Sequence, residues 1–432
     1  MEFNFASRLD SFEEGIFATL NDKKNELVKA GRKVYNMSVG TPDFKPAQHI
    51  MDAVSEAASK PENYKYALAD LPELLDAVSN HYAERYGVKG IRHEEIMSIY
   101  GSQEGMAHIA MAICDPGDVV LVPNPGYPVF TAGPFLCGAK VETYDLHPEN
   151  NFLIEFDKIP EEQARRAKMM IVSYPLNPVC VTAPDSFYEE LITFAKKYNI
   201  IILHDNAYSD IIYGGRVGKS FLSFRGARDV GVEFYSLSKS YNYTGARMSF
   251  VVGNQAVIDK FKNVRSQIDY GIFLPVQYGA IAALTGPQDA VKAQCEEYDR
   301  RNHALSEGLT SIGWKVPLSQ GTMFSWAQIP EGFANSNEFV MELMEKTGLI
   351  VTPGSSFGSL GEGFVRFALV LEAPTIVLFA NLEGRLLQKA ETIDLAAEPR
   401  GAKLIQMVVA DSELRHFIHE LSVDPSQYLR KD

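Results

Sequence analysis

Five short apolar runs constrain this chain more than anything else in it: 119–122 (Val-Val-Leu-Val), 169–172 (Met-Met-Ile-Val), 200–203 (Ile-Ile-Ile-Leu), 232–236 (Val-Glu-Phe-Tyr-Ser) and 248–252 (Met-Ser-Phe-Val-Val). Each is strand-length, and amphipathic helical stretches fall between them. Ser102 heads one, with Met106, Ile109, Ala110 and Ile113 at helical spacing and a stop at Asp115-Pro-Gly-Asp118. Ser186 and Glu189 match a capping box at the head of another. Apolar strands alternating with such helices predict an α/β fold, a mostly parallel sheet with both faces covered. Ligands then bind in the crevice beyond the carboxyl ends of the strands.

The flanks read differently. Helical spacing recurs at Ile50, Met51, Val54, Ala57 and Ala58, and again at Leu74, Leu75, Val78 and Tyr82. A long charged helical stretch over 289–309 leads towards a smaller α+β region with a turn at Pro353-Gly354 and a strand over 364–369. The expected division is residues 1–47 as an N-terminal segment with part of the small domain, 48–290 as the large domain, and 291–432 as bridging helix, small domain and C-terminal extension. A net charge of -14 argues against nucleic acid or an anionic membrane as the main partner. Cys114, Cys137, Cys180 and Cys295 form no CxxC pair, so neither a metal site nor a disulfide framework is expected. With no signal segment and no membrane-length apolar run, the expected location is the cytoplasm.

Useful chemistry sits after the strands. Asn177-Pro178 follows the run ending at Val172, and Asp205 and Tyr208 follow Leu203. The third site is Ser236-Leu-Ser-Lys239, with Arg247 eight residues beyond the lysine. Tyr100-Gly-Ser-Gln-Glu-Gly105 opens a helix with small residues, so its N–H groups and dipole could hold a phosphate. A lysine between hydroxyl residues with an arginine close behind suits an amine nucleophile beside a phosphate. It suits a surface lysine in a Ser/Thr loop equally well. Taken singly, Asp205 reads as a strand-end turn residue, Asn177-Pro178 as a plain turn and Ser102 as an ordinary N-cap. Their order, each at a strand end, shifts the balance towards one site.

In that order and spacing the chain resembles the class I aminotransferases, the fold-type-I enzymes that use pyridoxal 5'-phosphate. Within them it looks most like the diaminopimelate and alanine aminotransferase-like branch, through Ser238-Lys-Ser-Tyr-Asn-Tyr-Thr-Gly245 and Gln267-Ile-Asp-Tyr-Gly-Ile-Phe273. The resemblance implies a seven-stranded large domain and a smaller α+β domain. It also implies transfer of an amino group from an L-amino acid to a 2-oxo acid, with 2-oxoglutarate as acceptor and a polar or dicarboxylic donor. Lys239 would hold the cofactor aldehyde as a Schiff base and then shuttle the proton. Asp205 would face the pyridine nitrogen, Asn177 and Tyr208 the ring hydroxyl, and Tyr127 the ring face. Ser102, Gln103, Ser236, Ser238 and Arg247 would cup the phosphate. Arg366, with Gly40 and Asn177, would bind the substrate carboxylate. Tyr66 would reach the phosphate of a neighbouring subunit, implying a homodimer with shared active sites, and Tyr270 and the Asp269 region would line the partner's pocket.

Two departures from the family pattern stand out: Val179-Cys180 replaces the usual Thr-Gly after Asn-Pro, and Tyr66-Ala-Leu-Ala-Asp70 lacks the usual glycine. A β-lyase or a decarboxylase of the same fold would use the same lysine. A nucleotide-binding module rests only on Gly214-Gly-Arg-Val-Gly-Lys-Ser220, one residue short of a P-loop and best read as a glycine-rich turn. Gly358-Ser-Leu-Gly-Glu-Gly363 has the wrong order for a dinucleotide fingerprint, and His416 with His419 reads as an exposed helical pair.

Overall fold

A computed structural model of the chain describes residues 3–9, 12, 16–373, 375 and 376. Among these the strands are β1 (Tyr35–Asn36), β2 (Ile96–Ile99), β3 (Val119–Asn124), β4 (Lys140–Asp145), β5 (Ala167–Ser173) and β6 (Ile201–Asn206). They continue as β7 (Gly231–Ser236), β8 (Ser249–Gly253), β9 (Phe324–Gln328), β10 (Leu349–Ile350), β11 (Thr352–Pro353) and β12 (Phe364–Ala368). The large sheet has seven strands in the order β2-β8-β7-β6-β5-β3-β4. All its pairings are parallel except those of β8, which runs against both β7 and β2. The mostly parallel sheet expected from the apolar runs is the one observed.

Continuous apolar strands arise because helices cover both faces. Met169 to Val172 on β5 and Phe234 on β7 are fully buried, each large side chain contributing roughly 2 kcal/mol of burial. Strand β4 escaped the sequence reading because it is the sheet edge. Of Lys140–Asp145 only Tyr144 is fully buried, and an edge strand keeps charges on its rim.

The capping box expected at Ser186 and Glu189 does not form. The helix Asp185–Tyr198 starts one residue earlier, from an extended Pro184 that makes no side-chain cap. Proline's fixed φ sets the chain's entry, which leaves Ser186 already inside the first turn.

Because β5, β6 and β7 are parallel, their carboxyl ends meet at one edge, with Ser173 opposite Asp205 and Asn206 opposite Tyr235. The small antiparallel sheet, β11-β12-β9, faces that edge. The segment after β1 is tied to it: Met37 accepts from the Ala368 amide at 2.7 Å and donates to the Ile350 carbonyl at 2.8 Å. The long helix Asp289–Ser311 packs beneath both. Among the described residues no helix is long and apolar enough to cross a membrane. The C-terminal extension, His416 and His419 lie outside the described residues.

Candidate active site

A cavity of about 500 Å³ opens between the carboxyl edge of the large sheet and the small sheet. Twelve of the residues singled out in the sequence line it: Gly40, Ser102, Gln103, Tyr127, Asn177, Asp205, Tyr208, Ser236, Ser238, Lys239, Arg247 and Arg366. Tyr66 does not. It is 76% exposed on the outer surface, with its ring against Tyr270 at 5.2 Å.

The lysine turn is held from several sides. Strand β7 ends at Ser236, whose Oγ accepts from the Ser238 amide at 3.2 Å and so caps the short helix Leu237–Ser240. Thr244 Oγ1 donates to the Ser238 carbonyl at 2.9 Å, and Gln294 Nε2 donates to the Lys239 carbonyl at 2.7 Å. Ser240 Oγ donates to Asp210 Oδ2 at 2.8 Å, a carboxylate that also accepts from Tyr235 and Arg85. The backbone of Lys239 is therefore fixed while its amine is free to aim into the cavity. There Nζ donates to the Gly40 carbonyl at 2.6 Å. Burial first, then Arg366 and Arg247, pull the amine pKa down to about 8.

Asp205, one residue before the end of β6, lines the same cavity. Burial, with a smaller push from Glu233, lifts its pKa to about 7, and Lys239 opposes the rise. Its Oδ1 is buried without a hydrogen-bond partner. A buried carboxylate oxygen left unpaired asks for a donor.

An anion-ready cup lies beside the lysine. The helix Ser102–Ile113 begins after Gly101, a residue at φ +87, and Ser102 Oγ is buried with no partner. Arg247 reaches in with Nη1 donating to the Thr244 carbonyl at 3.0 Å and Nη2 to the Tyr100 carbonyl at 3.3 Å. A Cβ on Gly101 would lie 2.0 Å from that Nη2, so glycine is what lets the guanidinium sit over the helix end. Ser249 Oγ donates to Ser236 Oγ at 3.0 Å on the floor of the cup. Tyr127 covers the cavity from the side, its hydroxyl donating to Gln103 Oε1 at 3.2 Å.

Arg366 on β12 is 5% exposed. Its Nη1 donates to Asn177 Oδ1 at 2.8 Å and its Nη2 to the Ser38 carbonyl at 2.8 Å, while Nε is unpartnered. The guanidinium lies 4.1 Å from the Phe324 ring centroid and 4.7 Å from that of Phe357. Neutral partners and aromatic faces leave the charge uncompensated, and burial pulls its pKa down to about 10. Asn177, read in the sequence both as a ring contact and as part of the carboxylate site, here holds Arg366. Ser38, Phe324 and Phe357 were missed, because an aromatic residue and a backbone carbonyl acceptor carry no local sequence signal for a cation site.

The loop after Asn177 answers the departure from the family pattern. Cys180 sits at φ +62, the conformation that the family's usual glycine takes without strain. Its amide donates to the Leu176 carbonyl at 2.7 Å, and Thr322 Oγ1 donates to its sulfur at 3.2 Å. The glycine-rich turn at 214–220 is no phosphate cradle. Lys219 pairs with Asp185, and Ser220 Oγ is engaged with Glu233 at 2.8 Å.

The family described as aminotransferase class I and II matches residues 32–376. The chain belongs to that family. It is a pyridoxal-phosphate-dependent aminotransferase, an enzyme class that acts on amino acids and 2-oxo acids. The aminotransferase is 41% identical over 367 residues to the LL-diaminopimelate aminotransferase of Halothermothrix orenii, covering 85% of this chain and 94% of that one. It is 38% identical over 392 residues to the enzyme of the same name from Aquifex aeolicus, covering 90% and 98%. Among solved structures it is similar to substrate-bound BacF from Bacillus subtilis, with a TM-score of 0.85 and 32% identity over 90% of this chain and 98% of that one. A second is a probable N-succinyldiaminopimelate aminotransferase from Thermus thermophilus, with a TM-score of 0.81 and 29% identity over 86% and 100%.

Proposed function

We propose that the cavity binds pyridoxal phosphate and an α-amino acid together, with roles divided between its two sides. The observation that carries this is the pairing of a buried Lys239 amine, its pKa down to about 8, with a buried Asp205 oxygen that has no donor. Pyridoxal phosphate has complementary groups: an aldehyde for the amine, a protonated pyridine nitrogen for Asp205, and a phosphate for Ser102, Gln103, Ser236, Ser238, Arg247 and the helix end. The partnerless Ser102 Oγ, and Arg247 seated over the helix end at Gly101, would meet that phosphate. Bound there, the cofactor supplies an exchangeable aldehyde and a ring that draws electrons from the substrate α-carbon.

The chain's own residues do the rest. Lys239 Nζ, displaced from the aldehyde by the substrate amine, would carry the proton between the α-carbon and the aldehyde carbon on the far side of the intervening nitrogen. Asp205 keeps the pyridine nitrogen protonated through its negative charge. Tyr208 and Asn177 would hold the ring hydroxyl, and Tyr127 would cover the ring face. Arg366, buried between two phenyl rings and lacking a counter-anion, grips the α-carboxylate with Gly40 beside it.

Donors of the diaminopimelate type are inferred from the names of the relatives, and 2-oxoglutarate is proposed as the acceptor that pairs with them. A homodimer with shared sites, Tyr66 and Tyr270 facing the partner, is supported by the exposed patch of Tyr64, Tyr66, Leu68 and Tyr270. Of the division at 47 and 290, the first boundary is supported by the parallel pairing of β1 with β10, the strand just before β11 of the small sheet. Free cysteines support a cytoplasmic enzyme.

Purified protein should carry a visible absorbance band that borohydride abolishes, with the label on Lys239. Lys239→Ala should lose turnover by about 10⁴-fold. A screen of amino donors should yield pyridoxamine phosphate and oxo acid. Pyruvate with ammonia would instead identify an eliminating enzyme and sink the proposal.

A further inference from the structure

Arg301 lies outside the cavity, on the helix Asp289–Ser311, yet it ties together both arms of the substrate-carboxylate site. The arms come from distant parts of the chain: Gly40 in the segment after β1, and Arg366 on β12. Three residues past Gly40 is Asp43, whose two carboxylate oxygens accept from Arg301 Nη1 and Nη2, each at 2.8 Å. Three residues past Arg366 is Leu369, whose carbonyl accepts from the same Nη1 at 2.8 Å.

The guanidinium is itself anchored. Nε donates to Glu297 Oε1 at 2.8 Å one helical turn away, and the Phe44 ring lies 4.9 Å from the guanidinium carbon. Its side chain is 3% exposed. A buried bidentate arginine has far less freedom than a surface pair, and its planar fork fixes angle as well as distance. Neither Asp43 nor Arg301 lines the cavity.

The two arms also meet inside the site, where Arg366 Nη2 donates to the Ser38 carbonyl at 2.8 Å and Lys239 to that of Gly40. Their backbones join where the Ala368 amide donates to the Met37 carbonyl. Arg301 closes the loop from behind. Without it, the turn at 40–44 would be held to β12 from one side only.

We propose that Arg301, through Asp43 and the Leu369 carbonyl, is a positioning residue that sets the spacing of Gly40 and Arg366 and hence how tightly every substrate's α-carboxylate is held. This rests on the reading of Arg366 and Gly40 as the carboxylate site. Amino donor and oxo acceptor share that carboxylate and differ in the side chain, so a loosened clamp weakens both alike. The phosphate cup hangs on other elements, and the Lys239 turn meets this helix at Gln294, seven residues before Arg301, so neither depends on the Arg301 guanidinium.

Steady-state kinetics on the holoenzyme tests this with Asp43→Asn, Arg301→Lys and Arg301→Met. Asp43→Asn keeps the shape of the side chain and guards against a variant that fails to fold. KM should rise in parallel for donor and acceptor, about 10- to 100-fold in Arg301→Met. Arg301→Lys and Asp43→Asn should fall between it and the parent, because each retains some of the bonds. The visible absorbance band and the cofactor dissociation constant should stay within about twofold of the parent, as should the half-reaction with a simple alkylamine lacking a carboxylate. Unchanged KM values with a lowered Tm would make Arg301 merely structural and overturn the proposal. A rise for only one substrate, or an equal slowing with the alkylamine, would overturn it too. An Arg366→Met variant run alongside separates the two readings: if it leaves KM unmoved, the carboxylate assignment itself has failed.

Discussion

The two arginines that face the cavity are held in opposite ways. Arg247 is exposed, sits at φ +58, and spends its donors on two backbone carbonyls at the mouth of a helix. Arg366 is buried on a strand between two phenyl rings, with one nitrogen unpartnered and its pKa drawn down to about 10. The difference matches two kinds of anion. A phosphate that stays bound can be met by several weak, partly solvated donors and a helix dipole, none of them indispensable. A carboxylate that must come and go each turnover needs one strong, dry, preorganised partner, and the protein stores the desolvation of that partner in the empty site.

The largest effect should follow from breaking the dry side. Arg366→Met should lower kcat/KM by about 10³-fold for every amino and oxo acid while the holoenzyme's absorbance persists. Arg366→Lys should recover only a small part of that, since a point charge cannot replace the fork. Equal losses in Arg247→Met and Arg366→Met would erase the contrast. For the wet side, Arg247→Met should weaken cofactor affinity by about 10- to 100-fold, with activity restored by added pyridoxal phosphate. Gly101→Ala, which pushes the guanidinium off the helix end, should do the same more mildly, and fluorescence titration of the cofactor reports both.

The smallest effect is on stability. The Asp205 pKa, about 7 in the folded chain without cofactor, lies above its unfolded value near 4. The folded state therefore binds more protons in that window, and this group's contribution falls as pH rises from about 4 through 7. Lys239, lowered to about 8, has the opposite sign and regains stability only as pH rises from there towards its ordinary range. Cofactor-free Asp205→Asn should thus melt a few degrees above the parent at pH 8 and level with it at pH 4. With cofactor bound the order should reverse, because the pyridinium now compensates the charge.

The wet side was largely legible in the sequence. Its residues follow apolar runs, and parallel strands bring their carboxyl ends to one edge, so chain order alone groups Asp205, Ser236 and Lys239. The dry side was not. Arg366 could be picked out as a lone charge on an apolar strand, but its surroundings come from β9, β11 and the segment after β1, which meet only through antiparallel and crossover pairings with no local periodicity. Phe324 looks like any core phenylalanine until β9 pairs with β12. Asp43 and Arg301 lie 258 residues apart, with the whole of the large domain between them. The edge strand β4 hid for another reason: its residues alternate with solvent and never form an apolar run.

The loop after Asn177 has a consequence for how this chain tolerates change. Cys180 occupies a backbone conformation that suits glycine, at a strain of roughly 1 kcal/mol, and Thr322 is bonded to its sulfur. The two positions are therefore energetically coupled. Cys180→Gly relieves the strain but strips the Thr322 hydroxyl of its acceptor, leaving it only the Phe324 amide, so the single change should be close to neutral. Thr322→Val should then be milder in the glycine background than in the parent, a non-additivity that a double-mutant cycle can read. A cysteine here is thus half of a matched pair, and each residue of the pair sets which substitutions the other can accept.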